Sequence, residues 1–348
     1  MLPADIFAPV VVGCAGLALT PAEQALFAEK RPFGFILFAR NIDNPAQVKS
    51  LVAAFRAAVG NPAAPVLIDQ EGGRVARLKP PHWPVFPPAA RFGALYQQDV
   101  AAGREAAYLN ARAIGAELAA LGIDVDCAPV ADLPVTGAHD VIGDRAYGFS
   151  PEIVAALAEA TLRGLLDAGV LPVVKHMPGH GRARADSHLE LPVVEASQAV
   201  LEASDFLPFK ALRHAPWAMT AHIVYTAYDQ ALPATTSAKV IHEVIRGHIG
   251  FDGVLISDDL TMKALNGALP DLARASLSAG CDLVLHCSGK LDEMAALFGG
   301  LPVMAPAAAR RIAVAAAAKP VAPQSFAAEQ RHRLDELLAE ALPRAARA

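Results

Sequence analysis

From end to end the chain repeats one arrangement: a short unbroken apolar run, polar residues where the run stops, then a helix. The runs fall at 10–12, 34–38, 65–68, 123–128, 171–174, 217–221, 253–256 and 282–285. Strands that are apolar throughout, rather than alternating, belong to a parallel sheet covered on both faces. Helix signals lie between them. Thr20, Pro21 and Glu23 read as a capping box with proline in the first turn, and Asn44-Pro45 opens the next helix. Helices are expected at 21–30, 45–59, 99–121 and 151–168, with a proline-rich excursion at 79–88. About eight such strands, and no Gly-x-Gly-x-x-Gly after the first, favour a closed α/β barrel over an open doubly wound sheet. The expected fold is a single (β/α)8 TIM-type barrel with some irregular strands. No linker-like run or shift of composition divides the chain, so residues 1–348 read as one domain, with a polar helix at about 325–348 packed outside the barrel.

In such a barrel the strands' C-terminal ends form one rim, and functional residues gather there. Asp69, Lys175, His176, His222 and Asp258 all stand where apolar runs stop. The densest stretch is 171–192, LPVVKHMPGHGRARADSHLELP, in which a strand feeds a loop carrying three histidines, a lysine and an aspartate. Burial explains the apolar half of that stretch and not the titratable half. The net charge of -5, with no dense Lys/Arg face, argues against nucleic acid as a partner and for a small polar substrate. Cys14, Cys127, Cys281 and Cys287 are scattered in apolar contexts without a CxxC pair, as expected of buried thiols in a reducing compartment. No run reaches the length of a membrane span. Val11, Val12, Gly13 and Cys14 imitate a lipoprotein processing site, but the preceding residues carry an Asp and no Lys or Arg. A cytoplasmic protein without membrane association is therefore expected; the sequence is silent on oligomeric state, and a monomer is the default expectation.

Several residues could do chemistry. A carboxylate at a strand end, from Asp258 or its neighbour Asp259, could attack a sugar's anomeric carbon or hold a metal; the other would cap the next helix. His188 follows Asp186 by two residues, and a carboxylate beside an imidazole orients it and makes it a better proton donor. Lys175 and His176 can donate to substrate hydroxyls, Asp69 can accept from two of them, and Arg77 and Arg145 can make forked contacts. Taken singly, each is as readily a structural residue or a surface ion pair. A zinc-dependent barrel hydrolase is the rival reading, weakened because the first strand, VVVGCAG, lacks the His-x-His such sites use. A non-enzymatic sugar-binding protein leaves the donor histidine and separate carboxylate unexplained.

Three motifs then carry a family resemblance: I-D-Q-E-G-G-R at 68–74, K-H-M-P-G-H-G followed by A-D-S-H at 175–188, and I-S-D-D-L-T-M at 256–262. In this order they resemble glycoside hydrolase family 3, and within it the single-domain bacterial β-N-acetylglucosaminidases of the NagZ type. The resemblance implies that Asp258 is the catalytic nucleophile, His188 the general acid/base, and Asp186 its orienting carboxylate. It implies substrate contacts from Asp69, Arg77, Arg145, Lys175 and His176, with no metal and no cofactor. The implied substrate is a muropeptide or other saccharide bearing terminal N-acetylglucosamine, cut by double displacement during cytoplasmic peptidoglycan recycling. Phosphorolysis or β-glucosidase activity within the same family are the alternatives. Met177 stands where the family has phenylalanine, and Arg182 and Arg184 stand where less charged residues are usual.

Overall fold

In a computed structural model of the chain, residues 6–320 and 325–340 are described. Part of the N-terminal segment weighed above as a leader, and positions 341–348 of the expected last helix, lie outside them. Ten strands follow in chain order: β1 (Ala8–Val12), β2 (Pro32–Leu37), β3 (Val66–Ile68), β4 (Val125–Asp126), β5 (Leu171–Met177), β6 (Val193–Val194), β7 (Trp217–Thr220), β8 (Val224–Tyr225), β9 (Val254–Asp259) and β10 (Leu283–His286). Eight of them close a barrel in the order β1-β10-β9-β7-β5-β4-β3-β2, every neighbouring pair parallel. The short β6 and β8 pair with each other outside it. This is the (β/α)8 TIM-type barrel that the apolar runs imply.

The unbroken apolarity of the runs has a plain cause. Successive side chains on a strand point to opposite faces. Val11, Ile36, Leu67, Val125, Val173, Trp217, Ile256 and Leu283 share one cluster, the filling of the barrel. Their neighbours Val10, Val12, Phe35, Leu37, Val66 and Ile68 belong to another, facing the helices. Both faces are dry, so neither alternates to polar. Truncating one of the interior residues to alanine is expected to cost about 2–5 kcal/mol, because the packed barrel cannot collapse around the gap.

Boundaries shift where tertiary contacts outweigh local signals. β5 runs on to Met177, so Lys175 and His176 lie on the strand rather than beyond it. β4 shrinks to Val125–Asp126. The helix expected at 99–121 is Val100–Ala120, capped by Asp99, and a further helix, Ala89–Gln98, follows Pro88 where only a proline-rich excursion was foreseen. Near the C-terminus, the helix Ala328–Glu340 buries Leu334 and Leu337 in the cluster shared with the helix Val100–Ala120, and Arg333 pairs with Glu105 at 2.9 Å. Among the described residues no helix is long and apolar enough to cross a membrane.

Candidate active site

The strand ends enclose a mouth of about 230 Å³ lined by Phe38, Asp69, Arg77, Arg145, Lys175, His176, His188, Asp258 and their neighbours. Larger hollows of about 720 and 600 Å³ lie elsewhere, lined mainly by helix side chains, and contain none of these groups. Strand parity explains the convergence. Leu67, Val173 and Ile256 point inward, and Asp69, Lys175 and Asp258 each stand two residues further along the same face.

On one side of the mouth an alternating chain of charges crosses three elements. Arg77 meets Asp69 at 3.0 Å, Lys175 bridges Asp69 at 2.8 Å and Glu71 at 2.7 Å, and Arg145 forks onto Glu71 with two bonds of 2.8 Å. Burial opposes ionisation of both carboxylates, but Lys175 with Arg77 holds Asp69 below the usual carboxylate range, and Lys175 with Arg145 holds Glu71 down at about 2. Burial likewise works against the Lys175 ammonium, and the two carboxylates more than offset it. Asp69, Glu71 and Lys175 are therefore all charged at neutral pH. Gln70, turned away from the mouth, accepts the backbone N–H of Arg77 at 2.8 Å and of Leu78 at 3.0 Å, which fixes the segment presenting Arg77. Sequence reading passed over Glu71, although it sits in the same strand-end tip as Asp69.

The two adjacent aspartates of β9 separate cleanly. Asp259 is engaged in structure: it accepts the N–H of Thr261 at 3.0 Å and of Cys287 at 3.1 Å, and the Thr261 hydroxyl at 2.6 Å. Asp258 accepts only the Asp259 N–H, at 2.8 Å, and its other oxygen has no protein partner among the described residues. Burial would raise the Asp258 pKa, but the imidazoles of His222 and His176 and that N–H bring it below the ordinary value. His222 does not line the mouth. It is fully buried behind β9, with Nδ1 2.7 Å from the Thr235 hydroxyl and Nε2 donating to the Asp259 carbonyl at 3.0 Å.

His176 is held by Asp132, whose Oδ2 lies 2.7 Å from Nδ1. Asp132, another group sequence reading left aside, also accepts the N–H of His180. Burial opposes the Asp132 charge, and His176 and His180 together keep its pKa below the ordinary value.

Beyond β5 the chain leaves the barrel as the loop that carries the third histidine. The Lys175–His176 and Met177–Pro178 peptide bonds are cis. His180 packs inside this loop, its Nε2 3.0 Å from the Ser187 hydroxyl. Burial, with His176 beside it, lowers the His180 pKa to about 4. His188 lines the mouth with its side chain 63% exposed, so it reaches the cavity from the solvent side while Asp258 reaches it from the barrel. Asp186 takes both the His188 Nδ1 at 2.7 Å and its backbone N–H at 2.9 Å. Slight burial opposes the Asp186 charge, and the contacts with His188 outweigh it and lower its pKa. With Nδ1 so occupied, Nε2 is the nitrogen free to serve a ligand. Arg182 is tied to Asp205 at 2.7 Å and to Ser204 at 3.1 Å at the base of the loop, whereas Arg184 is exposed. No group of three or more His, Cys, Asp or Glu side chains is arranged to hold a metal among the described residues.

Comparison with known proteins gives the family. The model of the glycosyl hydrolase family 3 N-terminal domain matches residues 14–308. A β-hexosaminidase of Alkalilimnicola ehrlichii is 41% identical over 287 residues, 81% of either chain, and one of Aromatoleum aromaticum is 38% identical over 334 residues, 94% of this chain and 93% of that one. The crystal structure of NagZ from Neisseria gonorrhoeae in complex with N-trifluoroacetyl-D-glucosamine superposes with a TM-score of 0.86 at 33% identity, covering 97% of this chain and 98% of that one. Barrel, rim and relatives together define a glycoside hydrolase. More narrowly, the chain belongs to glycosyl hydrolase family 3.

Proposed function

We propose that the chain is a retaining exo-β-N-acetylglucosaminidase, a β-N-acetylhexosaminidase that removes terminal N-acetylglucosamine by double displacement. Asp258 attacks the anomeric carbon while His188 protonates the departing oxygen; His188 then takes a proton from water, which releases the sugar with retained configuration. Asp186 orients His188. Asp69, Arg77, Arg145, Lys175 and His176 bind the sugar's hydroxyls and acetamido group. The observation that carries the reading is that Asp258 and His188 line one cavity, one ionised and free at an oxygen, the other held by a carboxylate at Nδ1. After donating its proton His188 is neutral, so no second negative charge gathers beside Asp258.

The acceptor follows from the charge of the mouth. Asp69, Glu71, Asp258 and Asp259 line it against only Arg77, Arg145 and Lys175 as fixed cations. An anionic acceptor finds no spare positive charge there, which favours water and hydrolysis over phosphorolysis. The kinship with β-hexosaminidases and with NagZ supports the amino sugar over glucose. The physiological substrate we infer is the N-acetylglucosaminyl-1,6-anhydro-N-acetylmuramyl fragment, with or without its peptide, recycled in the cytoplasm by a monomeric enzyme whose barrel is the catalytic unit.

One assay tests this. Purified protein is given 4-nitrophenyl β-N-acetylglucosaminide or the β-glucoside, with and without phosphate and with a chelator. Preferential, chelator-insensitive release of free N-acetylglucosamine as the β-anomer is expected. Preference for the glucoside, sugar 1-phosphate as product, or loss with chelator would each overturn the corresponding part.

A further inference from the structure

The charge chain across the mouth hangs on one residue that carries no role so far. Glu71 is the only carboxylate that touches both Lys175 and Arg145 among the described residues. Arg145 arrives on the short turn Gly143–Arg145, not on a strand, and its remaining side-chain bond is to the Val141 carbonyl at 3.2 Å. Its direction is therefore set by the two parallel bonds to Glu71, since a forked guanidinium–carboxylate pair fixes orientation as well as distance. Lys175 has three N–H donors; one goes to Asp69 and one to Glu71, which aims the third.

Glu71 is itself held by backbone. Its N–H donates to the Val75 carbonyl at 3.0 Å, and that of Gly73 to the Phe86 carbonyl at 2.8 Å. Gly72 and Gly73 turn the chain there with φ of 95° and 57°, and a side chain on Gly72 would strike the Pro87 carbonyl at 2.4 Å. The turn is wedged against 86–88, so the carboxylate has a fixed base. Both of its oxygens are taken by cations and its side chain is only 7% exposed, which leaves it no part as a proton donor.

We propose that Glu71 is a positioning residue: through its simultaneous grip on Arg145 and Lys175 it sets the spacing of the two cations that receive the sugar. The proposal rests on the mouth being the sugar site proposed above.

The experiment is a double-mutant cycle on 4-nitrophenyl β-N-acetylglucosaminide with Glu71→Gln, Arg145→Ala and the pair. Glu71→Gln is expected to raise KM at least about tenfold, the scale of a lost charged hydrogen bond, with a smaller change in kcat. In the double variant the rise should fall well short of the product of the single effects, because Glu71 acts through Arg145. A purely structural role predicts a lower melting temperature and less active protein at unchanged KM; that result, or full multiplication in the double variant, overturns the proposal. Should Glu71→Gln fail to fold, Glu71→Asp carries the same test, since it keeps the charge but draws it back by one methylene, and an unchanged KM would again be fatal. Wild-type turnover judges the sugar-site reading separately from these ratios.

Discussion

Asp132 grips His176 twice, meeting the ring Nδ1 at 2.7 Å with one oxygen and the backbone N–H at 3.1 Å with the other. The carboxylate is fully buried between the end of β4 and β5, and it also takes the N–H of His180 at 2.6 Å. One aspartate thus fixes the direction of an imidazole at the mouth and the start of the loop that bears His188.

Breaking this grip should be felt in both stability and activity. Asp132→Ala leaves buried donors without partners and is expected to destabilise by about 3–5 kcal/mol, measured by urea unfolding. Asp132→Asn keeps the size of the side chain but frees the tautomer of His176; kcat/KM on the nitrophenyl substrate should fall by about 10–100-fold. A variant unchanged in kcat/KM would show that the orientation of His176 is immaterial.

The two aspartates of β9 should part company under mutation. Asp258→Ala removes the proposed nucleophile and is expected to lower kcat by at least about 10³-fold with little change in melting temperature. Asp259→Ala forfeits three hydrogen bonds and should cost about 2 kcal/mol of stability while retaining far more turnover than Asp258→Ala. The assignment fails if their effects on kcat are reversed.

His188→Ala discriminates among leaving groups. A donor matters most when the departing oxygen is basic, so cleavage of an N-acetylglucosaminyl disaccharide should slow by about 10²–10⁴-fold, and cleavage of a dinitrophenyl glycoside should hardly change in its first step. Equal losses on both substrates, followed by a burst assay, would rule out the donor role.

Acid should weaken the fold in a defined window. The His180 pKa is lowered in the native state to about 4 from an ordinary 6.5. Neutral His180 therefore stabilises the fold above pH 6.5. Between 6.5 and 4 the unfolded chain binds a proton the native site refuses, and stability falls with pH by about 1.4 kcal/mol per unit, or roughly 3 kcal/mol in all. His222, lowered for the same reason, adds to the slope. Asp69 and Glu71, both depressed, keep their contribution above the ordinary carboxylate values, begin to lose it as the pH falls through them, and have lost it only below their lowered native values. Urea unfolding from pH 7 to 4 should show His180→Gln with a shallower slope than wild type; parallel curves would contradict this.

Much of the barrel was legible because burial writes itself into short stretches. Val11 and Val12 are apolar for different reasons, one filling the barrel and one facing helices, but each is apolar, so the strand is visible locally. The helix Ala89–Gln98 was not visible. Its N-cap is Pro88, which makes no side-chain cap, and the helix forms by packing Phe92 and Leu95 into the core.

The site divides in the same way. Asp69, Lys175, His176 and Asp258 could be read as strand-end groups because a polar residue ending an apolar run stands out. Between Asp258 and Asp259 the apolar pattern alone could not choose, and the motif resemblance implied Asp258; counting in twos from Val254 and Ile256, both in the barrel filling, also reaches Asp258. Glu71 and Asp132 were silent because their partners lie far along the chain, Arg145 at 74 residues from Glu71 and His176 at 44 from Asp132.

By itself, then, the sequence determined the parallel barrel and the polar loading of its rim, since both follow from apolar periodicity and from where each run ends. Only the tertiary structure decided which carboxylates face the mouth, which pair with cations and which hold the backbone. A charged side chain's state is set by groups within a few ångströms, and around this mouth those groups come from different strands.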